Sequence, residues 1–156
     1  MLKIALTICA STLGVSSLLI ADEVKPEYLF VMMAKDSSIT EVNNTYTLTL
    51  YDVDRNLAMF TDRPVRKGGL MKIEDFMALW SNSGETNSFA KDNPNASLVY
   101  VVNDQFKQVT ITLKNPQYDH EHGRLTFEAT VVGSDTMPMG SLGATALFID
   151  NGIIVC

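Results

Sequence analysis

The chain has two histidines, and both fall within six residues, Tyr118-Asp119-His120-Glu121-His122-Gly123. On a strand, alternate residues point the same way, so His120 and His122 together would face one metal ion. Met137-Pro138-Met139 follows downstream. Soft thioethers joined to imidazole suit copper(I), and two imidazoles are half of a zinc set. This is the one constellation in the sequence with the donor types of a metal centre. The same residues also read as a polar hairpin tip, with Met137 and Met139 filling gaps in a core.

Arg63, Arg66 and Trp80 form the second candidate set. Pro64 sits between the two arginines and fixes the backbone there. Aimed together, the two guanidiniums would capture a small anionic ligand or an acidic protein surface, with Trp80 as an apolar anchor. In the alternative, Asp62 or another carboxylate bridges the arginines and pins the turn in place. No nucleophile motif accompanies either set. Gly140-Ser141-Leu142-Gly143 lacks the glycine that a nucleophile elbow needs two places before its serine. Asp52-Val53-Asp54-Arg55-Asn56 lacks the glycine and closing glutamate of a helical calcium loop. The expectation is a non-enzymatic protein without a cofactor, with copper or zinc as the alternative.

Strands must position these residues. Thr45 to Val53 alternates, with Tyr46, Leu48 and Leu50 on one face and Thr47, Thr49 and Tyr51 on the other. Asn43-Asn44 before it predicts a hairpin with Ser38 to Val42. Tyr28 to Met33 is a continuous apolar run, as in a strand buried on both faces. Leu57 to Thr61, Ala96 to Val102, Gln108 to Leu113 and the row Leu125, Phe127, Ala129 and Val131 add further strands. Asn115-Pro116 is expected to end the Gln108 strand. Gly143 to Ile149 and Ile153 to Val155, joined by Asp150-Asn151-Gly152, predict a closing hairpin. One segment breaks the pattern. Ile73, Phe76, Met77 and Trp80 recur at helical spacing within 72–81, with Glu74 and Asp75 where the helix dipole favours acid. Several short strands and one inserted helix predict a mainly β fold, an immunoglobulin-like antiparallel β-sandwich, with a flattened barrel as the alternative.

The N-terminus reads as an address. Lys3 precedes the uncharged apolar stretch Ile4 to Ile20, and the small Ala21 precedes the charged Asp22-Glu23. That is the layout of a secretory signal peptide, expected to be removed after Ala21. It leaves residues 22–156 as one domain, destined for the periplasm or the cell exterior. Removal takes Lys3 and no acidic residue, so 11 basic against 18 acidic side chains give a charge of −7. Such a chain is a poor partner for nucleic acid or for an anionic membrane surface. Cys9 leaves with the signal, so Cys156 stands alone and the exported domain is held by packing rather than by a disulfide.

One further pattern spans about residues 45–98. It comprises Tyr46-Thr47-Leu48-Thr49-Leu50, Phe60-Thr61-Asp62-Arg63-Pro64-Val65-Arg66, Phe76 to Trp80, Ser88-Phe89-Ala90 and Asp92-Asn93-Pro94-Asn95-Ala96. The order resembles a family of small exported bacterial proteins with an FxDRPxR turn, an FxxxW helix and a SFAxDxPNA loop. The resemblance implies an exported globular domain and contributes no catalytic residue.

Overall fold

In the computed structural model, residues 28–61, 66–81 and 89–150 are described. Among the described residues, nine strands form a single antiparallel sheet with one short helix. They are β1 (Tyr28–Val42), β2 (Thr45–Val53), β3 (Asn56–Thr61), β4 (Gly68–Lys72), β5 (Asn95–Val102), β6 (Gln105–Asp119), β7 (Arg124–Val131), β8 (Gly140–Ser141) and β9 (Thr145–Asp150). The helix α1 (Ile73–Met77) runs directly into a 3₁₀ turn over Ala78–Trp80. This mainly β architecture is consistent with the expected antiparallel sandwich carrying one helical insertion.

The two faces of the sandwich are joined by hydrogen bonds. The strand path β2-β7-β6-β5-β9-β1 returns to its start because β1 also pairs with β2. A coordinated bend makes that return possible. On β1, Phe30, Met32 and Ala34 are buried, then Lys35 and Asp36 are both outside, then Ser37 and Ile39 are buried. On β2, Leu48 and Leu50 are buried, Tyr51 and Asp52 are both outside, and Val53 is buried. The facing strands change their inward parity at the same level, and Asp52 adopts a left-handed φ of 52° there. Such bends carry strands around the corner of a sandwich. The Gly123 carbonyl accepts a hydrogen bond from Val53 N–H at 3.0 Å, tying the β6–β7 turn to the corner. A second tie lies on the other side of β1. The buried Ser37 and Thr145 hydroxyls meet at 2.5 Å, and both contact the Gly143 carbonyl, at 3.1 and 3.0 Å.

The hairpins follow their turn residues. Asn43-Asn44 and Asn103-Asp104 both take positive φ at each position, the two-residue turn that matches strand twist. Two expectations are corrected. Tyr28 to Met33 and Ser38 to Val42 belong to one bent strand of 15 residues. β6 does not stop at Asn115-Pro116. It passes through them in a bulge, with Asn115 at φ 50° and the register shifting between Lys114 and Gln117. A bulge is where a strand tolerates proline, since the missing N–H then breaks no ladder bond. β9, the first strand of the expected closing hairpin, pairs with β1 and β5 from Thr145 to Asp150. Ile153 to Val155 lie outside the described residues.

The helix seats itself on the apolar interior. Its first N–H, that of Ile73, donates to the Arg55 carbonyl, and Lys72 gives no side-chain cap, so packing rather than capping holds it. Ile73 and Phe76 are buried completely, as their spacing requires. Phe76 meets Phe30, Phe89 and Trp80 edge-on, with centroids 5.2, 6.3 and 5.4 Å away. Trp80 reaches Phe89 at 4.8 Å and Phe127 at 5.8 Å. Phe127 belongs to β7 and Phe30 to β1, so this aromatic cluster joins the helix to both sides of the ring. Edge-to-face pairs of this kind contribute about 0.5–1.5 kcal/mol each beyond area burial.

Candidate functional site

The 3₁₀ turn ends beside a surface depression of about 340 Å³ lined by Met77, Trp80, Ser81, Ala90, Asn93, Asn115 and Pro116. Three separate pieces of chain build it. The helical segment supplies Met77, Trp80 and Ser81. The segment before β5 supplies Ala90 and Asn93, anchored where Phe89 N–H donates to the Leu79 carbonyl at 3.0 Å. The bulge in β6 supplies Asn115 and Pro116, and the same bulge re-aims them out of the ladder.

Its polar groups are partly committed. Asn93 donates through Nδ2 to the Phe89 carbonyl at 2.8 Å, which leaves its Oδ1 without a partner among the described residues. Asn115 donates through Nδ2 to Glu128 Oε2 at 2.9 Å and is left with a free Oδ1 in the same sense. The Trp80 Nε1–H is buried and has no hydrogen-bond partner among the described residues. A shielded donor left unpaired costs about 1–3 kcal/mol, so this indole is an uncompensated group at the edge of the depression. No lining residue carries a charge. The depression can therefore accept hydrogen bonds through two amide carbonyls and offer an apolar wall of Trp80, Met77 and Pro116.

Of the sequence-derived candidates among the described residues, Trp80 alone lies here. Arg66 is exposed and two residues before β4, while Trp80 follows the helix at the other end of that strand. Exposure argues against a buried carboxylate bridge at Arg66. Arg63, Pro64 and Asp62 lie outside the described residues. The histidines stand differently from their expected arrangement. His120 and His122 occupy the turn after β6, not a strand, so period-two alternation does not align them. His120 Nε2 lies 3.4 Å from Glu74 Oε2 on α1. His122 Nδ1 lies 2.7 Å from Asp119 Oδ2. Each imidazole thus faces its own carboxylate. Met137 is buried and Met139 is 49 % exposed. Among the described residues, no group of three or more His, Cys, Asp or Glu is placed to hold a metal ion.

Asp119 organises that turn. Its Oδ1 accepts the backbone N–H groups of Glu121 and His122 at 3.1 and 3.3 Å. The hydrogen bond from the His122 ring, helped by these N–H donors, holds the Asp119 carboxyl below its ordinary value of 3.8. Asp119 in the turn and Glu74 on α1 are therefore the carboxylate partners of the two imidazoles.

Sequence reasoning singled out Trp80 but not Asn93, Asn115 or Ser81. The Asn115-Pro116 pair was a legible signal of irregular backbone. Its meeting with Asn93 and the helix depends on register, which no local pattern carries. Compared with protein-family models, with curated proteins and with solved structures, the chain has no match.

Proposed function

We propose that this is an exported, non-enzymatic binding protein whose ligand seats in the depression beside Trp80. The signal-like N-terminus supports export to the periplasm or the cell exterior. The single observation that carries the binding reading is the lining itself. An apolar lining that includes Trp80 shares the hollow with two asparagines whose amide oxygens have no partner among the described residues, and no lining residue is charged. Its volume is at the lower end for small-molecule sites. That chemistry favours a neutral, hydroxyl-rich compound with one apolar face, such as a saccharide ring, over the anionic ligand that Arg63 and Arg66 suggested.

Trp80 is the only tryptophan in the chain, so intrinsic fluorescence reports on this site alone. The test uses protein recovered from the extracytoplasmic fraction, where a mature N-terminus near Asp22 is expected. Titration with neutral mono- and disaccharides should shift Trp80 emission saturably and with little dependence on salt. The Asn93→Ala/Asn115→Gly double variant, in which glycine keeps the positive φ of residue 115 unstrained, should lose that response while still unfolding in one cooperative melting transition. Emission that stays fixed through millimolar concentrations of every probe would refute the assignment.

A further inference from the structure

Two stretches of the chain match the acceptor pattern for N-linked glycans, Asn-x-Ser/Thr with x other than proline. They are Asn43-Asn44-Thr45 and Asn95-Ala96-Ser97. Such matches are frequent, and what separates these two is the backbone around them. The first lies at the end of the β1–β2 hairpin. Asn43 and Asn44 form its turn, with φ of 53° and 63°. Every residue from Thr40 to Thr45 is exposed, and over that span the chain pairs only within the hairpin. The side chains of Asn43, Asn44 and Thr45 have no hydrogen-bond partner among the described residues.

The second match is built into the sheet. Asn95, Ala96 and Ser97 pair with Thr112, Ile111 and Thr110 of β6 on one side, and with Asp150, Ile149 and Phe148 of β9 on the other. Ala96 is buried, and the Thr112 hydroxyl donates to Asn95 Oδ1 at 2.8 Å. A transferase that binds its acceptor along the backbone must first lift it from its neighbours. Opening the turn at Asn43 frees the terminal Val42–Thr45 pair of one hairpin. Lifting Asn95 to Ser97 would break two ladders at once. Local opening of a hairpin end is far cheaper than opening the interior of a sheet.

We infer that Asn43 is a site of N-linked glycosylation, filled after the domain has folded, and that Asn95 is not. The co-reactant is an oligosaccharide carried on a polyprenyl diphosphate. Asn43 Nδ2 forms a bond to C1 of the first sugar, and the C1–O bond to the diphosphate breaks. The polyprenyl diphosphate leaves with that electron pair, and one amide proton passes to a base of the transferase, so nothing is oxidised or reduced. Thr45 supplies the hydroxyl that completes the acceptor pattern. The exposed Glu41 adds a carboxylate beside it, a handle for a basic groove that Asn93, in the same place before Asn95, does not offer. The glycan projects from the hairpin end beside Val42, itself 60 % exposed, where its bulk disturbs no packed face.

Peptide mass spectrometry of the protein purified from its source cells tests this. The peptide holding Asn43 should carry a glycan mass, and the peptide holding Asn95 should be bare. Thr45→Ala should remove the adduct, and Ser97→Ala should leave it in place, with circular dichroism showing a retained β fold in both. A reconstituted reaction separates sequence from structure. It uses an oligosaccharyltransferase that accepts free peptides spanning 40–47 and 92–99, with the polyprenyl-diphosphate oligosaccharide as donor. The folded protein should then be modified at Asn43 alone. Bare Asn43 in the purified protein refutes the inference. So does a glycan on Asn95 of the folded protein, or an adduct that survives Thr45→Ala.

Discussion

The aromatic cluster under α1 and the histidine turn between β6 and β7 hold their residues in opposite ways. In the cluster, Phe30, Phe76, Phe89, Trp80 and Phe127 come from four segments of the chain and meet through burial alone. In the turn, Asp119 gathers His122 and two backbone N–H groups within four consecutive residues. The first arrangement is non-local and apolar, and it stabilises the fold strongly. The second is local, polar and largely solvated, and such pairs contribute little. The lesson concerns where function can sit. The residues with the most reactive side chains are satisfied by their neighbours. The hollow with unsatisfied groups lies instead at the margin of the apolar cluster, where Trp80 could not be fully enclosed.

The sharpest way to break this contrast is Phe76→Ala. Phe76 is wholly buried and touches three of the other cluster rings. Truncating a buried phenylalanine costs about 3–5 kcal/mol, a large fraction of the stability of a domain of this size. Denaturant unfolding should show that loss, and Trp80 emission should shift red as its neighbours loosen. A cost under about 1 kcal/mol, the range of surface changes, would mean that the helix is an ornament on a self-sufficient ring.

A smaller effect is expected where the histidine turn touches the fold. Gly123 has φ 62°, and its carbonyl holds Val53 at the corner of β1 and β2. A Cβ there would meet only the Asp52 Cα and Val53 N at 3.8 and 3.9 Å, which is ordinary contact. The expense of Gly123→Ala is therefore conformational, about 1–2 kcal/mol for a left-handed L-residue. Gly123→Asn, which tolerates that region better, should recover part of it in the same unfolding assay. Equal losses in the two variants would point to crowding at the corner rather than to backbone strain.

The sequence carried the elements further than their connections. Alternation along Thr45–Val53 and the helical spacing of Ile73, Phe76, Met77 and Trp80 were readable because each is a local periodicity. The Asn43-Asn44 turn was readable because asparagine accepts positive φ. The closure of the ring was not, since Lys35-Asp36 and Tyr51-Asp52 reveal a bend only when seen paired. β4 was missed because Gly68-Gly69 reads as a loop and its strand character comes from pairing with β3. At the site, Trp80 was legible as the lone tryptophan on an apolar stripe. Asn93 and Asn115 were not, because asparagine beside proline predicts a turn and says nothing of what faces it. The histidines misled for the same reason: His-x-His implies a shared face only on a strand, and here the chain is turning.

The smallest effect belongs to the histidine turn itself. The Asp119 carboxyl is held below 3.8 first by its hydrogen bond from the His122 ring, against the desolvation that pushes it up, and then by the N–H groups of His122 and Glu121. A carboxyl depressed on folding stabilises the native state at pH values above its unfolded value, and that contribution fades as pH falls through the folded one. The window is therefore acidic, beneath 3.8, and neutral pH lies on its plateau. His122→Ala removes the leading cause and leaves both N–H donors, so the Asp119 midpoint should rise only part of the way. Carbon-detected NMR of the Asp119 carboxyl across acid titration, compared between wild type and variant, reads this directly, and the melting temperature near neutrality should scarcely move. An unchanged midpoint would assign the carboxylate to its backbone donors alone and make the imidazole a bystander. A large loss of melting temperature would erase the contrast with the aromatic cluster, because a polar pair at the surface would then be carrying the corner of the sheet.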